Sequence, residues 1–252
     1  MPSSAWKKSS GFEYALFPAA TGKPKYLVIY MHGVGGNASD LDDTAKAIQK
    51  RLPDADVISL QAPTELKGLE AMTGKKGYTW FPYGGALAPQ VKTWLTHIFN
   101  RLTIADKVEA FAKAELDKRG LQEENLAYFG ISMGAIVALQ ATLSGKSEVA
   151  AVVSAGGTVP PFTTIRKKPK IFLQMGEFDD LFHVPPRKSK GMLSKAFARV
   201  ADKFGVQHEH AVKRLQKKGV SVTDKVYAGQ GHVLSGTARS DAIEFIVKAL
   251  KP

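Results

Sequence analysis

The sequence predicts an α/β protein with a mostly parallel central sheet. Two observations carry this prediction. Short apolar segments rich in β-branched residues recur along the chain, and segments of helical length separate them. Strands that alternate with helices form βαβ units, whose strands are parallel and buried on both faces. The chain has 252 residues, no internal repeat and no linker-like stretch, so we expect one α/β domain over residues 1–252.

The predicted elements follow one another with glycine, proline or polar residues between them. Phe12–Phe17 alternates in the manner of an antiparallel edge strand, and Tyr26–Met31 is the first buried strand. A helix is predicted to begin at Ser39, in a pattern that resembles a capping box, and to end near Arg51. The other predicted strands are 56–60, 126–129, 149–153, 170–175 and 221–227, and the other predicted helices are 104–119, 132–143 and 240–250. Residues 61–90 predict a long ordered loop, and residues 190–218 predict a mainly helical, basic segment.

Composition excludes several kinds of protein and site. Cysteine is absent, which removes disulfides, thiolate zinc sites, iron–sulfur clusters and a cysteine nucleophile. No apolar stretch approaches the ~18 residues that a membrane-spanning helix needs. The N-terminal residues lack the apolar region of an export signal. The default expectation is therefore a cytoplasmic protein.

The formal net charge of +12 is concentrated in one stretch, because residues 166–225 hold 15 basic and 6 acidic side chains. A basic stretch attracts acidic substrates, anionic lipid or nucleic acid, but more often it is a solvated surface. We expect no nucleic-acid partner here. Two alternatives to a solvated surface stay open for segment 187–218. It binds an anionic ester, or it binds a lipid surface. His208 and His210 flank Glu209 in this charged stretch and are expected to be solvated.

The segment 130–134 predicts a serine nucleophile. It reads Gly-Ile-Ser-Met-Gly and stands between a predicted strand and a predicted apolar helix. A G-x-S-x-G sequence in that context is typical of a nucleophile elbow, in which a strained turn exposes the serine. The flanking glycines are needed because strand and helix press together there. We therefore expect Ser132 to be the nucleophile.

A serine hydroxyl needs a general base, and the base needs a carboxylate to orient it. His232 follows the last predicted strand in a glycine-rich loop, which is the position that this fold requires. Asp179 and Asp180 follow the strand before it, and the spacing from Gly176 favours Asp179. The chain order Ser, Asp, His is that of the α/β-hydrolases.

Two backbone amides are expected to form an oxyanion hole. One belongs to Met133, the residue after the nucleophile. The other belongs to the glycine loop after the first buried strand, where Val34 is the favoured donor. A glycine loop before a helix can instead cradle phosphate. This loop lacks a G-x-G-x-x-G frame and a P-loop lysine, which argues against a nucleotide site.

These segments together resemble the phospholipase/carboxylesterase family of α/β-hydrolases, which includes the acyl-protein thioesterases. The resemblance implies the α/β-hydrolase fold, a Ser132–Asp179–His232 catalytic triad and an oxyanion hole at Val34 and Met133. It also implies that Trp80 and Phe81 line the acyl or alcohol pocket, with plain core packing as the alternative. The matching pieces span residues 26–250 and are His32–Asn37 with Asp40-Leu41, Gln61-Ala62-Pro63, Trp80-Phe81, the Ser132 segment, Gly176 with Asp179, and Gly231-His232.

Three departures from the family's usual pattern bear on the substrate. Met133 and Ala135 stand where the family usually has Gln and Gly, and Met175 stands where it often has His. The segment from Asp179 to His232 is longer than in typical members, which predicts a basic helical insertion before the last strand. The expected function is a serine hydrolase that cleaves carboxylic esters through an acyl-enzyme, with no metal and no organic cofactor. A thioesterase, an acyl-peptide or lactone hydrolase, and a catalytically silent protein that binds an anionic partner stay open.

Overall fold

The computed structural model describes residues 5–81, 90–160, 163–179, 181, 207–232 and 235–251. Within these ranges, eight strands form one sheet in the order β1-β2-β4-β3-β7-β8-β9-β10. The strands of this sheet are β1 Ala5–Ser9, β2 Phe12–Phe17, β3 Tyr26–Met31, β4 Ala55–Leu60, β7 Leu126–Ile131, β8 Ala151–Ala155, β9 Lys170–Gly176 and β10 Val222–Tyr227. Strands β1 and β2 run antiparallel to their neighbours, and the strands from β4 to β10 in that order are parallel. The predicted mostly parallel sheet is confirmed.

Helices cover both faces of this sheet. They are α1 Asp42–Arg51, α2 Leu69–Thr73, α3 Gln90–Asp117, α4 Met133–Ser144, α5 His208–Lys217 and α6 Gly236–Leu250. Alternate residues of β3 belong to two separate hydrophobic clusters, one on each face of the sheet. Leu27 and Ile29 pack on the face of α3 and α4, and Val28 and Tyr30 pack on the face of α1 and α6. Each fully buried aliphatic side chain contributes about 1.5–3 kcal/mol to stability, so the two cores fix the strand register.

Several element boundaries differ from the sequence-based predictions. Helix α3 begins at Gln90 rather than near residue 104, because no glycine or proline interrupts the chain after Pro89. Helix α6 begins at Gly236, four residues early, where the Ser235 side chain caps it. Strand β1 was not predicted at all. Its residues are mostly exposed, so no alternation of apolar and polar residues marks it.

The predicted loop 61–90 contains short elements where it is described. Besides α2, strands β5 Thr64–Glu65 and β6 Tyr78–Thr79 form a two-stranded antiparallel ribbon. Of the predicted basic helical segment 190–218, α5 belongs to the described residues and the part before residue 207 lies outside them. Among the described helices, none is both long enough and apolar enough to cross a membrane.

The topology brings the predicted site loops to one edge of the sheet. The glycine loop follows β3, Ser132 follows β7, Asp179 follows β9 and His232 follows β10. These strands are parallel, so their carboxyl ends meet at the same edge. In open α/β sheets, ligands bind at that edge.

Candidate active site

Ser132 occupies a strained turn between β7 and α4. Its backbone has φ of 52° and ψ of −116°, in the left-handed half of conformational space that non-glycine residues rarely enter. Strain of this kind costs about 1–3 kcal/mol and persists where the surrounding structure enforces it. The Ser132 N–H donates to the carbonyl of Ala155 at 2.8 Å, which fastens the turn to the end of β8. The side chain is half-buried.

Two glycines allow this turn to be as tight as it is. A Cβ atom at Gly130 would lie 2.5 Å from the carbonyl oxygen of Gly134, and one at Gly134 would lie 2.5 Å from that of His32. Strand β7, helix α4 and the end of β3 therefore meet at backbone contact. The G-x-S-x-G spacing is a packing requirement of this junction.

Ser132, His232 and Asp179 form one chain of hydrogen bonds. The Ser132 Oγ lies 2.8 Å from His232 Nε2, and His232 Nδ1 lies 2.7 Å from Asp179 Oδ2. A carboxylate accepts only, so Nδ1 carries the proton and Nε2 is left to accept from the serine hydroxyl. Asp179 is fully buried, whereas the His232 side chain is 25% exposed, so the serine end of the chain faces solvent.

Asp179 is held from both sides. Its Oδ1 accepts from the N–H of Leu181 at 3.0 Å while Oδ2 is bound to His232, and its own N–H donates to the carbonyl of Gly176. Hydrogen bonds to both oxygens fix the orientation of the carboxylate. Asp180, the alternative carboxylate, lies outside the described residues.

The loop with Asp179 is bound directly to the loop with His232. The N–H of Glu177 donates to Tyr227 at 2.9 Å, and the N–H of Phe178 donates to Gln230 at 2.7 Å. In return, Gly229 donates to the Glu177 carboxylate at 2.9 Å. The acid and the base are thereby fixed relative to each other by backbone hydrogen bonds.

The glycine loop after β3 runs past the serine. A Cβ atom at Gly33 would lie 3.3 Å from the Ser132 Cβ, which measures how close the two segments are. Two hydrogen bonds pin the loop: Gly35 donates to the carbonyl of Tyr78, and Tyr78 donates to that of Gly36, each at 2.9 Å. Within the described residues, the N–H groups of Val34 and Met133 donate to no protein acceptor. Their assignment to an oxyanion hole stays a prediction.

His32 was not predicted to have a role, and the structure places it behind the glycine loop. Its Nδ1 lies 2.7 Å from the carbonyl of Gly33, and its Nε2 accepts from the N–H of Ala62 at 3.1 Å. The Ala62 bond requires a lone pair on Nε2, so the neutral Nδ1–H form is present. Burial lowers the pKa of His32 and so favours this neutral form, although the Gly33 carbonyl acts in the opposite direction.

Trp80 and Phe81 are buried, with 2% and 6% of their surface exposed. The Trp80 indole N–H donates to the carbonyl of His32 at 2.8 Å, and its ring packs against Phe12 and His32. Trp80 therefore supports the glycine loop from the core side. The contacts of Trp80 correspond to the core-packing alternative, and a pocket-lining role for either ring stays a prediction.

Part of the basic segment 187–218 lies within the described residues. Two of its polar side chains contact the rest of the protein instead of being solvated. Arg214 on α5 donates to the carbonyls of Val159 and Pro160, so it anchors the helix. His208, at the start of α5, is 1% exposed and its Nε2 lies 2.6 Å from Asp224 on β10. The prediction of a solvated His208 is wrong, because α5 packs against the edge strand. Residues 187–206 lie outside the described part of the chain.

Comparisons with known proteins identify the family and the fold. The family model described as phospholipase/carboxylesterase matches residues 14–250. An uncharacterized hydrolase of Mycosarcoma maydis is 29% identical over 144 residues, which is 57% of this chain. The match spans about half of that relative's length, 51%.

Solved structures share the whole fold. Esterase PE8 superposes with a TM-score of 0.74 at 23% identity, covering 93% of this chain and 97% of its own. The carboxylesterase of Mesorhizobium loti gives a TM-score of 0.67 at 14% identity, with 97% and 99% covered. SOBER1 of Arabidopsis thaliana gives 0.61 at 18% identity, with 90% and 99% covered. The expected α/β-hydrolase fold is confirmed.

Proposed function

Because the chain belongs to the phospholipase/carboxylesterase family of α/β-hydrolases, we propose that it is a serine hydrolase that cleaves carboxylic esters through an acyl-enzyme. The observation that carries the proposal is the hydrogen-bonded chain from Ser132 through His232 to Asp179. A nucleophile, a base within reach of its proton, and a carboxylate that orients the base are the three groups that acyl transfer requires.

In the first half of the reaction, Ser132 Oγ attacks the ester carbonyl while its proton passes to His232 Nε2. The new bond converts the carbonyl oxygen into an oxyanion, which accepts hydrogen bonds from the N–H groups of Val34 and Met133. Asp179 stabilises the imidazolium through Nδ1–H and keeps its own charge. The tetrahedral intermediate then expels the alkoxide, which takes the proton from Nε2 and leaves as an alcohol. An oxyanion-hole donor contributes about 10²- to 10³-fold in rate.

In the second half, water replaces the alcohol. His232 Nε2 takes a proton from water as the water oxygen attacks the acyl-enzyme carbonyl. The intermediate collapses, Ser132 Oγ recovers the proton from His232, and the carboxylic acid leaves. No step uses a metal or an organic cofactor.

The test is active-site labelling combined with a substrate series. A fluorophosphonate reagent should label the wild-type protein at Ser132 and fail to label Ser132→Ala. Hydrolysis of p-nitrophenyl esters from acetate to palmitate then gives the acyl preference. Absence of labelling would favour a silent binding protein, and labelling elsewhere would refute the assigned nucleophile.

The same site accommodates thioesters by the same steps, and the substrate series separates esterase from thioesterase activity if matched thioesters are included.

For the basic segment 187–218 we propose a supporting role with anionic substrates or a lipid surface. Lys213 and Lys217 on α5 are cations of this segment that belong to the described residues. Charge reversal at Lys188, Lys190 and Lys195 should raise KM for anionic esters more than for neutral ones, and added salt should shrink the difference.

A further inference from the structure

The short strand β6 contacts both segments that carry the expected oxyanion donors. Val34 lies in the loop after β3, and Met133 is the first residue of α4, so the two amides come from segments that are far apart in the sequence. An oxyanion binds well only where each donor lies about 2.7–3.1 Å from it. The separation of the two segments therefore has to be fixed, and β6 is placed to fix it.

The backbone of β6 holds the first of these segments. Tyr78 exchanges two hydrogen bonds of 2.9 Å with the glycine loop, one with Gly35 and one with Gly36. The residue before it, Gly77, lies so close that a Cβ atom there would collide with the carbonyl oxygen of Gly35. The loop that carries Val34 is thus packed directly on β6.

A side chain of β6 reaches the second segment. The hydroxyl oxygen of Thr79 lies 2.8 Å from the carbonyl oxygen of Phe81 and 3.2 Å from the sulfur of Met133. The hydroxyl has one proton, and a carbonyl is a stronger acceptor than a thioether, so Thr79 donates to Phe81. That bond fixes the direction of the hydroxyl, and the Met133 sulfur packs against a fixed oxygen.

The contact matters because the Met133 side chain is flexible by nature. Methionine has three rotatable bonds and adapts to irregular spaces. Here it is 7% exposed, and Thr79, which it contacts, is 1% exposed. Met133 also follows directly on Ser132, whose strained backbone persists only where its surroundings enforce it. A contact that holds the Met133 side chain in one conformation therefore also steadies the N–H at the start of α4.

We propose that Thr79 is a positioning residue for the oxyanion hole. It acts through the Met133 side chain and sets the place of the Met133 N–H relative to the Val34 N–H, whose loop the same strand holds through Tyr78. Thr79 exchanges no proton with the substrate. The role rests on the proposed esterase function. Because the oxyanion exists only beyond the ground state, the role affects kcat and leaves KM unchanged.

Thr79→Val removes the hydroxyl and keeps the branched shape. A methyl group cannot take the oxygen's place 3.2 Å from the sulfur, since non-bonded carbon atoms pack at about 3.5–4.0 Å. We expect kcat for p-nitrophenyl acetate to fall about tenfold with KM unchanged. Both halves of the reaction form an oxyanion, so the loss appears whichever half limits the rate. Thr79→Ser keeps the hydroxyl and should restore wild-type kcat.

Thr142→Val is the matched control. Thr142 is also 1% exposed, and its hydroxyl also donates to a carbonyl, that of Ala138 at 2.7 Å. It lies on α4 nine residues after Met133, about 13 Å along the helix axis. Thr142→Val therefore loses a comparable buried hydrogen bond and should keep wild-type kcat. Equal losses of kcat in Thr79→Val and Thr142→Val would overturn the proposal.

A change of the substrate atom separates positioning from general distortion. In the thiono analogue of p-nitrophenyl acetate, sulfur replaces the carbonyl oxygen, and a larger, weaker acceptor gains little from the two N–H groups. The ratio of kcat/KM for the oxygen ester to that for the thiono ester therefore measures the oxyanion hole. It should fall in Thr79→Val and stay at the wild-type value in Thr79→Ser and Thr142→Val. An equal loss toward both esters in Thr79→Val overturns the proposal.

A double-variant cycle tests whether Thr79 acts through Met133. Met133→Ala keeps the backbone N–H and removes the thioether, so Thr79→Val should lower kcat no further in that background. Losses that multiply overturn the proposed route. Wild-type turnover with an unchanged ester ratio in Thr79→Val refutes the role of Thr79 and leaves the esterase function standing. A wild-type protein that neither hydrolyses esters nor is labelled at Ser132 refutes the esterase function, and the role of Thr79 with it.

Discussion

Gly176 lies so close to the carbonyl of Gln230 that a Cβ atom at Gly176 would approach that oxygen to 2.5 Å. The contact joins the end of β9 to the loop after β10, and these two segments carry Asp179 and His232. The acid and the base therefore depend on a backbone-to-backbone contact that only glycine permits. Their separation of 2.7 Å is set there as well as by the hydrogen bond itself.

Gly176→Ala should therefore lower kcat/KM at least tenfold, because an added methyl group forces the two loops apart and misplaces the imidazole. Gly236→Ala is the matched control, since a Cβ atom at Gly236 meets nothing within 4 Å. It should keep wild-type activity. The measurement is p-nitrophenyl acetate hydrolysis together with urea denaturation of both variants. Full activity in Gly176→Ala would show that the loops tolerate separation.

Asp179→Asn should cost about 10⁴-fold in kcat, because the amide can donate to Nδ1 and so favours the wrong imidazole tautomer. Asp180→Asn should have a mild effect, because His232 Nδ1 donates its hydrogen bond to Asp179. Steady-state rates of the two variants decide between the neighbouring carboxylates. The assignment fails if Asp180→Asn is the more damaging change.

Ser132→Ala and His232→Ala should each remove most of the turnover, and the double variant should be little worse than either one. The reason is that the 2.8 Å hydrogen bond makes the two side chains act as one unit. Rate losses that multiply would contradict the pairing. Circular dichroism of the three variants checks that the fold is retained.

The order of the site loops could be predicted from the sequence because each one follows a recognisable strand, which is apolar before the glycine loop, Ser132 and Asp179. Tyr26–Met31 forms β3 over the predicted residues, and Gly130 and Gly134 mark the turn at Ser132 by their spacing. These are local signals, in which strand propensity and turn chemistry act on neighbouring residues. They predict which side chains lie at one edge of the sheet, but they do not predict the distances between those side chains.

Contacts between distant segments could not be predicted in this way. His208 lies in a charged stretch, and its burial against Asp224 depends on how α5 packs on β10. Trp80 hydrogen-bonds a carbonyl 48 residues away, which no local pattern encodes. The exposed strand β1, with Trp6, lacks any apolar periodicity and becomes a strand by pairing with β2.

His32 gives a prediction that combines stability with pH. Its neutral ring joins the glycine loop to Ala62, so His32→Gln should lower the free energy of unfolding by about 1–3 kcal/mol, the cost of a lost buried hydrogen bond. It should also lower kcat, because the loop that carries Val34 loses its support. His210→Gln, at an exposed position two residues after His208, is the control and should change neither quantity.

The stability difference between wild type and His32→Gln should depend on pH with a definite sign. Burial holds the pKa of His32 below its ordinary value of 6.5 in the folded protein. As the pH falls through about 6.5, the unfolded wild-type chain binds a proton at His32 that the folded protein does not, so wild-type stability declines. His32→Gln lacks this proton, so the difference in free energy of unfolding between wild type and variant should shrink by up to about 1.4 kcal/mol per pH unit.

Urea denaturation of both proteins between pH 7.5 and pH 5 measures the difference. A gap that widens toward low pH would mean that the folded protein binds the proton more tightly than the unfolded chain, and the neutral, Nε2-accepting histidine behind the glycine loop would be refuted.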